Sequence, residues 1–562
     1  MQFSNGFLID FIKLAGPFWC SARKNTIIGL TLGLFVLTVL QIGVAVEITE
    51  WSADLFNALE QRSMSGLWVQ IGIVILIFAA NIVVSTSHFK VKRRIQLEWR
   101  NWLTDHMLDR WMTGGRHYLV THIQGRHDNP DGRIAEDIRI STEFALDLIH
   151  SLTYSLLLLI SFTKILWTLS GTVVMDFWLF TLPIKGHLVW IALIYAAGAS
   201  VLGWWIGRPL TKATDYRQTV EANFRFGLVT ARENSLAIAL VHGEQSEQKR
   251  LTGLFGDIIA AWNHQTEAWS RIFIFTSGYS VLSMAFPILV SAPRFILGAI
   301  SLGALMQSAQ AFQQMAAALS WPVDNMARVA EWRASVERVL GLANGLQLLE
   351  TEISRSDPHR IKLVQTEEHA LVFNDLCVSR LDGLVCVSVL NDSIVAGEHI
   401  LIAGNSFTGS KLFKSIVGLW PWGSGSINLP RDAVFFMPPL PYLPNGKLKA
   451  AICYPLVFES CDLQRFEQIL EEVGLQELIE HLDEEGHWAT DLSREHQQRL
   501  GVARLLIHAP QWVLIQEALD SLDADTEMYL WRLICQHLPK ATILTISKEP
   551  KIAALHKRQI VL

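Results

Sequence analysis

The stretch of clearest chemical meaning is Gly404-Asn405-Ser406-Phe407-Thr408-Gly409-Ser410-Lys411. Its two glycines stand at the separation of a phosphate-binding loop, G-x-x-x-x-G-K-[ST]. In such a loop backbone N–H groups cradle phosphates, a lysine reaches the outer phosphates and a hydroxyl binds Mg²⁺. Here Ser410 stands where the lysine is required, and Lys411 follows one place late. If a helix starts at this point, one place is about 100° of rotation, which turns the ammonium away from the phosphates. The chemistry of the stretch would be nucleotide binding, with its main cation out of register.

A second group of candidates lies in apolar surroundings. Glu47, Glu50 and Asp54 fall at i, i+3 and i+7, on one helical face. Lys164 sits inside Ser161-Phe162-Thr163-Lys164-Ile165-Leu166-Trp167, and Gln307, Gln310, Gln313 and Gln314 interrupt another apolar run. A charge at bilayer depth costs a few kcal/mol unless it faces water or a partner. One reading is a central cavity in which these groups bind polar cargo or carry protons. The plainer alternative leaves the acids in interfacial water and lets Lys164 snorkel or pair.

The elements that must position these residues follow from composition. Half of the 562 residues are apolar and 20 are Trp; the mean hydropathy is +0.28. That mixture suits a membrane protein with Trp-marked interfaces. The net charge of −6 and the lack of a basic domain argue against a nucleic-acid partner. The six cysteines show no metal-ligand spacing and read as reduced thiols, so no metal site is expected. The apolar run at 26–46 has no small-residue cleavage site after it and reads as a membrane anchor rather than a cleaved signal.

Six segments reach the roughly 20 residues a bilayer requires: 26–48, 67–88, 145–169, 187–207, 270–292 and 295–320, the last being the weakest. Lys and Arg crowd the stretches between spans two and three and between four and five, whereas Arg62 and Lys185 stand nearly alone in the other two loops. The positive-inside rule then places both termini and both long loops in the cytoplasm. Residues 213–265 contain no Pro and read as cytosolic extensions of the fourth and fifth spans. Asn129-Pro130 reads as an N-cap followed by Pro at the first helical position, with a coupling role as the alternative. Glu350 to His369 reads as an irregular charged linker.

Two cytosolic helical hairpins followed by a cytosolic domain is the plan of an ABC exporter half. Several strings make the likeness specific: Trp99-Arg100-Asn101-Trp102-Leu103-Thr104, Asn129-Pro130-Asp131-Gly132-Arg133-Ile134-Ala135-Glu136-Asp137, Glu221-Ala222-Asn223-Phe224-Arg225, Arg232-Glu233-Asn234 and Ala318-Leu319-Ser320-Trp321. They resemble the membrane domain of SbmA/BacA-type peptide transporters. The nearer match is the YddA-like branch with its fused ATPase domain; peroxisomal fatty-acyl ABC transporters are more distant. The family usually has an apolar residue at Lys164.

The resemblance implies a helical transmembrane domain of ABC exporter type over residues 1–340. A linker over 341–369 and an α/β ABC nucleotide-binding domain over 370–562 follow. It also implies a multi-pass inner-membrane protein and a homodimer, with a heterodimer with an intact sister subunit as the alternative. Cargo would be peptides or bulky hydrophilic molecules.

Against that family's motifs the chain departs repeatedly. Phe407 replaces the middle Gly of the phosphate loop. Gln516 replaces the Asp that supports Mg²⁺, while Glu517, the water-orienting base of an intact enzyme, remains. Glu495 replaces the signature Gly in Leu492-Ser493-Arg494-Glu495, putting a carboxylate where a helix tip should meet the γ-phosphate. Pro439 falls at the Q-loop Gln and Lys548 at the switch His. Gly404, Gly409, Ser410, Lys411, Gln516 and Glu495 thus form a remnant nucleotide site. No cofactor is expected, or ATP and Mg²⁺ if the site keeps residual activity. Three functions remain open: a transporter driven by an ion gradient, an ATP-driven transporter with weak hydrolysis, and a non-transporting receptor or assembly subunit.

Overall fold

The computed structural model describes residues 6–122, 129–177, 180–354, 360–380, 384–456, 463–547 and 550–562. It divides into two compact units, Met1–Arg110 with Arg126–Asn344, and Trp111–Gly125 with Gly345–Leu562.

The first unit is helical. Its main elements are α1 (Phe7–Ala15), α2 (Lys24–Glu60), α3 (Met64–Met112), α4 (Ile138–Ser170), α5 (His187–Glu233), α6 (Glu244–Ile296), α7 (Leu302–Leu319) and α8 (Met326–Ser354), the last running on into the second unit. A hairpin of β1 (Thr172–Phe177) and β2 (Phe180–Lys185) lies between α4 and α5, in the loop that carries Lys185. Five helical stretches among the described residues are long and apolar enough to cross a membrane: Lys24–Glu60, Met64–His122, Pro130–Ser170, His187–Glu233 and Glu244–Ile296.

The expected sixth span is displaced. α6 continues to Ile296, the chain breaks at Gly298 with φ 70°, and α7 begins only at Leu302. α7 has 18 residues, and Ala311, Phe312 and Met315 pack into a core with Leu158, Phe162 and Leu166 of α4. Its glutamines lower its hydropathy, so it survives among helices rather than against lipid. α2 supplies its start: Gly303 N–H donates to Asn57 Oδ1 at 3.1 Å and Leu302 N–H to Glu60 Oε2 at 3.0 Å. These bonds satisfy amides that a helix N-terminus leaves open. A side chain at Gly303 would overlap the Ala53 carbonyl, so the close approach of α7 to α2 requires glycine.

The tryptophan-rich strings have packing roles. Phe11 and Phe18 surround Trp99, whose indole N–H donates to Ala15 O at 3.2 Å. Asn129 does not cap: it adopts a left-handed conformation (φ 50°) and makes no side-chain cap bond, although Pro130 does open the following turn. The segment is instead tied to α8. Arg133 donates to Arg338 O at 3.0 Å, and the buried Asp137 takes Arg338 through two nitrogens, at 2.8 and 2.5 Å. The expected irregular linker is also partly regular: α8 runs to Ser354, and Lys362–Gln365 is a strand. Leu342, Leu346 and Leu349 form an apolar stripe that carries α8 onward.

The second unit is α/β. Its strands are β3 (Lys362–Gln365), β4 (Ala370–Ser379), β5 (Val385–Val395), β6 (His399–Ala403), β7 (Gly423–Leu429), β8 (Val434–Met437), β9 (Gly446–Lys447), β10 (Glu485–Gly486), β11 (Trp512–Gln516), β12 (Thr542–Ile546) and β13 (Arg558–Val561). The central sheet has the order β13-β6-β12-β11-β8, and all its pairings are parallel. A second sheet, β3-β7-β4-β5, pairs β4 antiparallel to both neighbours. Both faces of the central sheet are covered, so β11 reads as the apolar run Trp512-Val513-Leu514-Ile515. Trp512 and Leu514 enter one core, and Val513 and Ile515 the other. The helices that matter for the site are α9 (Ser406–Ile416), α10 (Leu448–Cys453), α11 (Leu463–Glu472), α12 (Arg494–His508) and α13 (Ala524–His537).

Candidate nucleotide site and membrane cavity residues

β6 delivers the chain to Gly404, which has φ +127°; a Cβ there would lie 2.9 Å from the Leu562 carbonyl oxygen. From this point the chain turns straight into a helix. Asn405 is the N-cap, its side-chain oxygen accepting from Phe407 N–H at 2.9 Å. Its backbone carbonyl accepts from Thr408 N–H at 2.9 Å and Gly409 N–H at 3.1 Å. α9 therefore begins at Ser406, and amides that would line a phosphate cradle are spent on the helix's own first turn. Gly409 is buried inside that helix, where a Cβ would come 2.7 Å from Ile546 Cδ1. Its role here is close packing of α9 on the central sheet.

Lys411 points to an aromatic partner. Its Nζ lies 3.0 Å from the centroid of the Trp420 ring and 5.4 Å from that of Phe407. Burial, and next the nearby Lys414, lower the ammonium to about 8. The ring faces pull the other way, since a cation over an indole is electrostatically favoured. Ser410 is half-buried beside it.

Glu517 has φ 45°, donates its N–H to Ile546 O at 2.9 Å and accepts the Ser406 hydroxyl at 2.7 Å. Gln516, at the end of β11, is the preceding residue, in register with Ile546 of β12. The fold thus brings Ser406, Gln516 and Glu517 together at the start of α9. Glu495 lies elsewhere in the chain, in the first turn of α12, and pairs with Arg499 at 2.7 Å. Ser493 caps that helix by accepting His496 N–H at 3.2 Å. An acid in the first turn complements the helix dipole, so Glu495 is locally comfortable. Lys548 lies outside the described residues.

Two features escaped the sequence reading. Gln498 donates to Pro439 O at 3.2 Å and accepts Ser521 N–H at 3.0 Å, bracing two loops from one buried amide. The other is Trp111–Gly125, which belongs with the second unit. There Arg116 pairs with Glu350 at 2.9 Å, Lys414 lies 5.4 Å from the Tyr118 ring centroid and the His122 ring meets Trp420 edge-on at 5.3 Å. A Cβ on Gly115 would stand 2.6 Å from Leu419 Cδ2. Trp420 is thus shared by Lys411 and by this docked segment. The signal was present as Gly114-Gly115 interrupting a helical run, but nothing local names its partner.

In the helical unit Gln310 donates to Ser52 at 2.8 Å, tying α7 to α2. Glu47, Glu50, Asp54, Gln314 and Lys164 are exposed on the surface of the single chain. Lys164 lines an open cavity of about 460 Å³ with Thr163, Trp167 and Thr168, and none of the three acids lines it. Among the described residues no ion pair joins Lys164 to those acids.

Fold and site together define a membrane-spanning helical domain carrying an α/β nucleotide-binding-type domain on one chain. Residues 18–296 match the family described as ABC transporter transmembrane region 2. The chain is 30% identical over 506 residues to an uncharacterised ABC transporter ATP-binding protein of Synechocystis sp., covering 88% of this chain and 73% of that protein. It is 28% identical over 549 residues to the inner membrane ABC transporter ATP-binding protein YddA of Escherichia coli, covering 97% and 96%. A bacterial Atm1-family ABC exporter solved with ATP bound shares the fold, with a TM-score of 0.71 at 16% identity over 96% and 94% of the two chains. The chain belongs to the ABC transporter family, as a membrane domain fused to an ATP-binding domain.

Proposed function

We propose that the protein is an inner-membrane transporter of peptides or bulky hydrophilic solutes, SbmA/BacA-like, working as a homodimer, with both termini cytoplasmic. Its nucleotide-binding domain is structural, and an ion gradient drives transport. The observation that carries this reading is the start of α9 at Ser406, with Thr408 and Gly409 N–H already bonded to Asn405 O. A triphosphate needs those amides free, a lysine at its outer oxygens and an anionic support for Mg²⁺. Here Lys411 is stacked on Trp420, Gln516 is neutral, and the Glu517 carboxylate is engaged by Ser406. These residues do not fit Mg·ATP. The exposed polar groups Glu47, Glu50, Asp54, Lys164 and Gln314 support a polar path formed when two copies meet. The test pairs ATPase and nucleotide-affinity measurements on purified protein with uptake in cells. Uptake that survives ATP depletion and collapses with a protonophore is expected. Hydrolysis at millimolar ATP, abolished by Lys411→Ala, would overturn the reading in favour of an ATP-driven transporter.

A further inference from the structure

α2, α3 and α4 line an open cavity of about 400 Å³ whose polar lining comes from Gln41, Asn81, Ser85, His88, His150 and Tyr154. Its central feature is a contact between two imidazoles: His88 Nε2 lies 2.7 Å from His150 Nε2. Two bare lone pairs would repel at that distance and two N–H groups would collide. One proton must therefore lie between the rings. One ring donates through Nε2 and keeps a free acceptor at Nδ1; the other accepts through Nε2. A further proton from water can bond to that Nδ1, giving an imidazolium–imidazole pair. Its charge rises by one, and the bridging N–H···N bond becomes charge-assisted and is kept.

The charged neighbours pull this reaction both ways. Asp147 stands one turn before His150 on α4, and Lys92 one turn after His88 on α3. They pair with each other at 3.1 Å, and Gln96 also donates to Asp147 at 2.9 Å. Tyr154 of α4 is the remaining ionisable group in the lining, and α2 contributes none. A proton on the imidazole pair creates a second cation competing with Lys92 for one carboxylate. Burial disfavours that charge, and Asp147, once released by Lys92, is the carboxylate able to offset it. The pair also sits at a boundary, where the apolar run of α3 ends at His88 and Lys90, Lys92, Arg93 and Arg94 begin. From there the cavity extends along α2 to Ile48, next in the chain to Glu47.

We propose that the His88–His150 pair is a proton-binding site of the membrane unit, its loading coupled to release of Asp147 from Lys92. Its role in transport rests on the gradient-driven reading above; its binding of a proton does not. Two measurements on the full-length protein in liposomes test it. Solid-state NMR with ¹⁵N-histidine follows the bridged pair between about pH 3 and 8, a range wide enough for a buried imidazole. A one-proton step with an N–H···N coupling across the bridge is expected in the wild type, and that coupling is lost in both His88→Gln and His150→Gln, where the remaining imidazole titrates alone. Asp147→Asn, which keeps both rings, should move the step to lower pH by removing the balancing anion. Uptake of a labelled cationic peptide under an imposed pH gradient should fall about a hundredfold in each histidine variant, the scale for losing a positioned proton-transfer group. Gradient-driven uptake at the wild-type rate in both variants, or no protonation step in that range, overturns the proposal. A wild type that shows the step but no gradient-driven uptake overturns the transport reading and leaves the proton site standing.

Discussion

The starts of α9 and α12 invite comparison, because in an ABC domain both helix tips face phosphate. Here each is closed by its own residues, in different ways. At α9 the cap has moved upstream: Asn405 takes the first amides, the turn becomes helix, and Gly409 is left as a packing residue. At α12 the cap stays at Ser493, while Glu495 places a negative charge in the first turn and holds Arg499. One tip is closed by backbone geometry, the other by charge. On the reading proposed above, the difference teaches that a ligand's chemistry can be lost without disturbing the fold, since a helix N-terminus accepts a side-chain oxygen or a carboxylate as readily as phosphate.

Breaking the α9 side at its base should have the largest effect. Trp420 is 3% exposed and donates its indole N–H to Ser379 O at 2.8 Å. Trp420→Ala should cost about 3–5 kcal/mol, lowering the denaturant midpoint and loosening Trp111–Gly125, seen as faster amide exchange there. Ser406→Ala should cost about 1–3 kcal/mol by removing a hydroxyl bond to a carboxylate, read by the same unfolding curves. Removing the caps should cost about 1 kcal/mol each for Asn405→Ala and Ser493→Ala. If Asn405→Ala instead leaves both stability and nucleotide affinity unchanged, the helical start of α9 is not what closes that tip. Glu495→Gln should change stability by less than about 1 kcal/mol, because the pair is surface-exposed.

Lys411 sharpens the comparison through pH. Its folded pKa is depressed to about 8, below the unfolded value of about 10.4. Between those values the unfolded chain binds more protons than the folded one, so this group makes stability rise as pH increases from about 8 to about 10.4. Below about 8 the lysine is charged in both states and its burial penalty is fully present. Lys411→Met should flatten that slope, which thermal melts across the range would detect.

Much of the site was legible because its defects are matters of identity and spacing. Ser410 in place of lysine, Gln516 in place of an acid and Glu495 in place of glycine need no coordinates to notice. The long apolar helices were legible for a similar reason, since a bilayer imposes length and composition together. The failures share another cause. Asn129 next to Pro130 has the local form of a cap, yet the grip of Arg338 on Asp137 and the bond from Arg133 to the Arg338 carbonyl hold the segment otherwise. The sixth helix began late because its amides are satisfied by Asn57 and Glu60, more than two hundred residues earlier. Trp111–Gly125 gave no local sign that it belongs with Trp420.

By itself, the order of residues determined that this chain is a membrane protein with a fused α/β domain, and that Ser410 rather than a lysine directly follows Gly409. Hydropathy and motif spacing are local quantities, and they survive without a fold. Only the tertiary structure decided where α9 begins, that Lys411 rests on Trp420, and that His88 and His150 meet at 2.7 Å. The first two depend on backbone turn and ring geometry that residue spacing does not fix, and the third on groups far apart in the chain meeting within hydrogen-bond distance.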